Sequence, residues 1–561
     1  MSEHATDTRP RKSLRESVCD IDRDILRLLM RRHNLLRRMY NAKGHLDPAE
    51  EKFLRETWEA AASRLSRDPR LSSRFFTLMQ EVEFLPRPDE EPAEKRPAFN
   101  LAPASAPVRL SMRAPLACRV TRAWLYLAAA AGQPLRLSPC LMNDPIVDCV
   151  KMLNQLGAAL TREGSGVSVL PAPPLGTPDK VIHVGDSAWN FYMMLGHFLG
   201  RPSRAKFIGD ASLRLADFSV ARRFVGQMGA RMVQAVPRCD GLPVRLECSG
   251  VLPDSVRLPA DAPVELAEGL LLAAPFYAQP LSLDLTDLAQ RDMLLTRILP
   301  VLQQAGADVH QTGTVLRVVP SRLSIPQHPD LPLEAELGMG LLALAPALGG
   351  SVRLEGRWPA TPDAQAGLDW LRLLGMAPAC EHGALSLSMD APLTTLPTVA
   401  LPPAFPACWQ PLVLAMAALA ALRSGTASLP RELLHDETFR TDAESFFHAL
   451  QLRLDEDATL HRSDATDTDT PQGRGWNAPT PVWAMALAIA ACARGPRQQV
   501  RLGNPGDITA LFPAFWQLYN SLPAPQMERT PAETAPAPAQ RQRRRIITSA
   551  LADIPDMPDE D

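Results

Sequence analysis

Paired cysteines are absent: nine stand singly along the chain, at Cys19, Cys118, Cys140, Cys149, Cys239, Cys248, Cys380, Cys408 and Cys492. Without a CxxC pair or a dense block there is neither a disulfide framework nor a zinc-type cluster, and the usage points to a reducing, cytoplasmic setting. Long apolar runs are also lacking. The longest, Leu412 to Leu422, is too short to cross a bilayer, and the opening MSEHATDTRPRKS has no apolar signal core, so a soluble protein without a membrane partner is expected. Charge of one sign is missing too: 59 basic and 62 acidic residues leave a formal net charge of −3, which draws the chain to no nucleic acid. Charged small molecules must then be recognised locally. Nor is there a Gly-rich nucleotide loop or a Ser-His-Asp arrangement, and the eleven histidines are dispersed; no metal and no cofactor is expected.

What is present is organised in blocks. At 561 residues with 46% apolar content, the chain can bury more than one core. A stretch rich in proline and charge, PRPDEEPAEKRPAFNLAPASAP, carries neither a helical nor an alternating period and reads as a semi-extended linker over 87–107. It separates a helical block at 11–86 from a long α/β region at 108–522. A second such stretch opens a tail at 523–561, whose Arg541, Arg543, Arg544 and Arg545 are read as solvated, with contact to a polyanion as the alternative.

The α/β region repeats itself. Ala/Leu-rich helices begin near Arg122, Tyr192, Glu268, Met339, Leu412 and Ala484. Between them run strand-like segments and amphipathic helices ending at NQLGA (Gly157), GQMGA (Gly229), QQAGA (Gly306) and RLLGM (Gly375), with two less marked endings near Leu452 and Leu522. Six units follow, each too large for a solenoid repeat.

In the helical block, Leu14, Val18, Ile21, Ile25, Leu28, Leu35 and Met39 fall in steps of three and four, which predicts a long helix with a heptad seam. Arg32 falls on that seam, where a guanidinium is costly unless an anion meets it. Lys43 lies on nearly the same face about 16 Å further along the axis, so the two converge on one small dianion. Arg15 lies about 25 Å before Arg32 on another face, and would serve the site of a second subunit. Asp47-Pro48 starts a second helix that Glu50 and Glu51 open, and a third runs from about Leu71 to Leu85. One long and two short helices hardly bury such a seam alone, which predicts an intertwined homodimer. The alternative is three cations on solvated faces of a dimerising helix.

The stretch LRESVCDIDRDILRLLMRRHNLLRRMYNAKGHLDPAEEKFL resembles the all-helical chorismate mutases. The resemblance implies a three-helix all-α module that rearranges chorismate to prephenate. Arg15, Arg32 and Lys43 would be its cationic donors and Glu51 the carboxylate on the substrate hydroxyl, with Asp47 opening the segment that carries it. The family arginine beside that glutamate is Glu50 here, and Glu83 and Arg87 stand for the usual third-helix serine and glutamine.

Residues 108–522 resemble the enolpyruvyl transferases, and 5-enolpyruvylshikimate-3-phosphate synthase in particular, through RAWLYLAAAAG after Arg122, FIGDASLRLADF at 207–218, EGLLLAAPFYAQ at 268–279, HDETFRTDAESFFHAL at 435–450 and ITALFPAFWQLYNSL at 508–522. The implied architecture is a two-lobed inside-out barrel of six repeats, its lobes exchanging near 320–335, with shikimate 3-phosphate and phosphoenolpyruvate held between them. Arg122, Glu437 and Arg440 match family substrate-binding positions; for Glu437 and Arg440 the alternative is a surface pair one helical turn apart. Other family positions have changed character. Ala117 and Cys118 stand for a lysine and a serine, GDSAW at 185–189 for the Gly-Asn-x-Gly-Thr loop, and Tyr192 and Ala216 for arginines. Pro263, Val264 and Glu265 replace Ser-Ser-Gln, Thr480, Pro481 and Val482 replace Asp-His-Arg, Ala510 replaces a lysine, and 409–411 holds no aspartate. Two readings follow: a shikimate-pathway protein of two functions, or a binding or regulatory partner of pathway enzymes with no catalysis of its own.

Overall fold

A computed structural model describes residues 52–54, 56–58, 99–101, 107–236, 240–462, 475–494 and 500–522. The chain divides into two units, Met1–Pro97 and Ala98–Asp561. Of the first unit, the described residues are helical at 52–54 and 56–58. Arg15, Arg32, Lys43, Asp47 and Glu51, together with the heptad seam and the predicted dimer contact, lie outside the described residues.

In the second unit the six-unit pattern is visible as six separate sheets. Helices that are apolar all round go to the centre of a lobe. Every residue from Pro411 to Leu422 of the helix Gln410–Ser424 is buried, and so is nearly all of Pro481–Ala491. Among the described residues, Ala407–Ser424 is the one helical segment long and apolar enough to span a membrane, and it lies mostly buried in its lobe. The amphipathic helices cover the outside. Asp144–Gln155 buries Ile146, Cys149, Met152 and Leu153, and the Asn143 side chain caps it by accepting from Ile146 N. Where two core helices cross, Ala188–Leu199 and Val264–Ala273, the backbones touch. A Cβ on Gly196 would sit 2.3 Å from the Gly269 carbonyl oxygen, so both positions require glycine.

Two cores result. One gathers buried residues from Cys118 to Leu331, the other those from Leu101 to Ala114 and from Leu333 to Leu522. The chain therefore crosses between lobes twice, once at 114–118 and once at 331–333. The first departs from the expectation of a first lobe beginning at 108. The strand Val108–Arg113 runs parallel to Gly350–Glu355, in register Val108 to Gly350, and so belongs to the second lobe. Phe99–Leu101, within the stretch read as linker, also forms a strand, antiparallel to Val500–Leu502, with Leu101 fully buried. Three residues are too few to show a period in sequence, and the partner lies at the far end of the unit. The two crossing segments hydrogen-bond to each other: Leu116 bridges Leu333, Ala117 N donates to Pro332 O (2.8 Å) and Glu334 N donates to Pro115 O (2.7 Å). They form a short two-stranded hinge, and core helices start immediately after each.

Candidate functional site

Those helix starts open on a cleft of about 1160 Å³ between the lobes. The first-lobe helix Cys118–Ala131 has Ala117 at its cap position and no side-chain cap of its own. Glu334 supplies one from the other crossing segment, Oε2 accepting from Cys118 N at 2.8 Å, a carboxylate set on the positive end of the helix dipole.

Arg122, one turn further along, lines the cleft yet is 5% exposed. Its Nη1 donates to Ser187 Oγ (2.8 Å) and to Asn190 Oδ1 (3.3 Å), and its guanidinium carbon lies 4.5 Å from the centre of the Trp189 ring. All three neighbours are uncharged. Nε is buried with no hydrogen-bond partner.

The other arginines on this cleft are differently placed. Arg119 Nη2 donates to Glu265 Oε1 at 2.7 Å, and its Nη1 lies 3.6 Å from Glu268 Oε1. Glu268 is fully buried and accepts from Trp189 Nε1 (2.5 Å) and from Arg297 Nη1 (3.2 Å). Arg297 also approaches Asp363 of the other lobe at 3.9 Å, and Arg357 donates to Asp330 at 2.6 Å. Each of these three guanidinia already has a carboxylate from the protein itself.

Two carboxylates remain. Glu334 accepts the single bond described above, and Glu336 makes no hydrogen bond or ion pair among the described residues. Both are half-buried on the cleft wall with protein on either side. Burial is the main reason each is harder to ionise than usual; for Glu336, aided by the neighbouring Glu334 charge, the pKa is pushed up to about 7. Burial likewise raises the thiols of Cys118 and Cys408, the latter to about 12, so both stay protonated; the Cys118 thiol donates to Asn143 Oδ1 at 3.6 Å. Among the described residues no group of three His, Cys, Asp or Glu is placed to hold a metal.

Of the residues anticipated from sequence, Arg122 lines the cleft, and so do the altered positions Ala117, Cys118, Pro263, Val264 and Glu265. Trp409 lines it where no aspartate was found. Glu437 and Arg440 do not. Both are exposed on the helix Glu437–Ala449, where Arg440 pairs with Glu444 one turn on at 3.1 Å. Sequence reasoning passed over Arg119, Glu268, Arg297, Glu334, Glu336 and Asp363. A faint signal existed for three of them: Glu268, Glu334 and Glu336 are acids set in otherwise apolar stretches, VELAEGLLLA and LPLEAELGMG.

No family model matches the chain. The 3-phosphoshikimate 1-carboxyvinyltransferase of Acidiphilium cryptum (strain JF-5) is 27% identical over 206 residues, which is 35% of this chain and 44% of that protein. The enzyme of the same name from Rhodopseudomonas palustris (strain BisB5) is 31% identical over 159 residues, 27% of this chain and 34% of that one. The chain thus spans less than half the length of these curated relatives. In three dimensions the likeness extends further. The EPSP synthase of Acinetobacter baumannii superposes with a TM-score of 0.60 at 17% identity, covering 76% of this chain and 98% of that one. The enolpyruvyl transferase NikO from Streptomyces tendae does so at 0.54 and 16% identity, covering 75% and 97%. The fold of the large unit is that of the enolpyruvyl transferases.

Proposed function

We propose that this chain is a cytoplasmic, two-module protein of the shikimate pathway. Residues 11–86 rearrange chorismate to prephenate, and the cleft of the large unit, descended from a 3-phosphoshikimate 1-carboxyvinyltransferase, binds one carboxylated small molecule on Arg122. Support for the first module is the spacing of Arg15, Arg32, Lys43 and Glu51 and the segment opened by Asp47. The rearrangement needs no nucleophile or cofactor: cationic donors hold the reactive conformer and stabilise negative charge developing on the ether oxygen. Arg15 would reach the partner's site in a homodimer built on the long first helix.

The observation that carries the reading of the large unit is the internal pairing of Arg119, Arg297 and Arg357 with Glu265, Glu268, Asp363 and Asp330. Transfer from phosphoenolpyruvate to shikimate 3-phosphate requires guanidinium and ammonium donors free to receive two phosphorylated anions. Here a phosphate would first displace a carboxylate, exchanging one charge-assisted contact of about 1.5–3 kcal/mol for another and gaining little. The exposed positions of Glu437 and Arg440 favour the same reading. The second reading, a binding or regulatory role without catalysis, is favoured for the large unit by these same pairings.

Loss of chorismate followed with the purified full chain, wild type against Arg32→Ala, tests the first module: turnover by the wild type and none by the variant is expected, and no turnover by either removes the claim. Calorimetric titration with shikimate 3-phosphate tests the second. Binding no tighter than millimolar is expected, whereas micromolar affinity means that the ancestral site is intact.

A further inference from the structure

Which small molecule suits the cleft follows from the charges left over after internal pairing. Asp292 on its rim is matched with Arg291 at 3.4 Å, as the arginines described above are matched with their own acids. What is left without an ion-pair partner is one guanidinium, Arg122, and two carboxylates, Glu334 and Glu336, all on the cleft wall; Asp363 and Arg119 keep their ion pairs, although Asp363 Oδ1 and Arg119 Nη1 make no hydrogen bond. Glu334 holds the N–H of Cys118, one helical turn before Arg122, and the Arg122 guanidinium lies close enough to favour ionisation of that carboxylate. A ligand with adjacent cationic and anionic groups suits such a pair. Next to Glu336 the wall turns apolar, with Leu337, Phe405 and Trp409, the two rings edge to face at 6.1 Å.

We propose that the cleft takes an amino acid zwitterion with a large apolar side chain: the carboxylate on Arg122, the ammonium between Glu334 and Glu336, and the side chain against Leu337, Phe405 and Trp409. This rests on the reading that Arg122 receives a carboxylate. Two features point to a ligand independently of the acids. Arg122 is 5% exposed, faces the cleft, and has an Nε with no partner, which an incoming carboxylate satisfies in the bidentate manner of a guanidinium. The apolar wall gives a side chain somewhere to bury its surface. A phosphorylated dianion would bring negative charge beside two carboxylates and is rejected by repulsion.

Proton linkage adds a signature. Glu336 is faced by Glu334 on its own segment, by Arg119 from the helix Cys118–Ala131, and by the un-ionised thiol of Cys408, which Asp363 also neighbours. An ammonium arriving there favours the ionised carboxylate, so affinity rises as the pH is raised from 6 to 8.

The experiment is calorimetry on the full chain with L-phenylalanine, 3-phenylpropanoate, 2-phenylethylamine and shikimate 3-phosphate, at pH 6 and pH 8. Phenylalanine is expected to bind at least tenfold more tightly than either analogue of single charge, and several-fold more tightly at pH 8. Arg122→Gln should erase the advantage over 2-phenylethylamine. Glu336→Gln should erase the advantage over 3-phenylpropanoate together with the pH dependence, and thermal melts report whether each variant is folded. Should 3-phenylpropanoate match phenylalanine, the ammonium subsite is overturned while the role of Arg122 stands. Tighter binding of shikimate 3-phosphate overturns both. No heat with phenylalanine overturns the inference outright.

Discussion

Glu334 reaches across the hinge to accept a hydrogen bond from the backbone N–H of Cys118, 2.8 Å away, where the chain passes from one lobe to the other. The helix that begins there has alanine at its cap position and no side chain of its own to satisfy the first turn. One carboxylate therefore serves as helix cap and as a tie between the two crossing segments. Glu334→Ala is expected to destabilise the protein by about 1–2 kcal/mol, the ordinary worth of a cap. Glu334→Gln, which keeps an acceptor oxygen, should retain most of that. Chemical denaturation of both variants checks the pair; equal losses would mean that charge rather than the hydrogen bond matters.

The pH dependence of stability contains a contribution from Glu336. Its folded-state pKa of about 7 lies above that of an unfolded glutamate, so the native state binds the proton more tightly. The stabilisation is complete below the unfolded value and is lost as the pH rises through about 7. The group is half-buried and solvent screens part of the effect, which leaves on the order of 1–2 kcal/mol. Glu336→Gln should thus be more stable than wild type at pH 8 and similar to it at pH 4.5, as read by thermal melting. A variant weaker at pH 8 would place an unseen cation on this carboxylate.

His197 acts in the opposite direction. It is buried, with Nε2–H donating to the Gly176 carbonyl (3.2 Å), which leaves Nδ1 to accept from the Tyr126 hydroxyl (3.1 Å). Burial holds the ring neutral, its pKa lowered to about 4. The unfolded chain takes up a proton first, so stability is lost as the pH falls from about 6.5 toward 4. The displacement corresponds to at most about 3 kcal/mol. The Glu336 and His197 windows overlap with opposite signs, so between pH 4.5 and 6.5 the carboxylate offsets part of the histidine's contribution. Glu336→Gln should steepen the rise of stability with pH in that range, and a slope no steeper than that of wild type would show that the two groups do not titrate there as described.

These tests bear on groups of very different visibility in sequence. The six units were legible because a helix apolar on every face is a local feature repeated six times, and three of the amphipathic helices that follow end in a Gly-Ala turn. That Val108–Arg113 belongs to the second lobe was not, because an alternating strand of six residues names no partner, and its partner Gly350–Glu355 lies far along the chain. Arg122 was found through the position it occupies in a resembling family. Glu268, Glu334 and Glu336 were legible in part, as acids amid apolar neighbours, since such residues persist when something pairs with them or uses them. Arg119 and Arg297 carried no signal. An ion pair between residues as distant in sequence as Arg119 and Glu265 is a property of tertiary packing, which no local pattern announces.

Arg440 brings that difference to a measurement. By family position it would contact an anion in the cleft, and its loss would weaken binding there tenfold or more. In the structure it is exposed and bonded to Glu444 within its own helix, an arrangement worth about 0.3–0.5 kcal/mol. Arg440→Ala should therefore shift stability by less than about 0.5 kcal/mol and leave the affinity of the cleft for phenylalanine unchanged, while Arg122→Gln lowers it about tenfold or more. Parallel titrations of the two variants separate the alternatives. If Arg440→Ala weakens binding as strongly as Arg122→Gln, the lobes must close further than they stand here, bringing the helix Glu437–Ala449 onto the ligand.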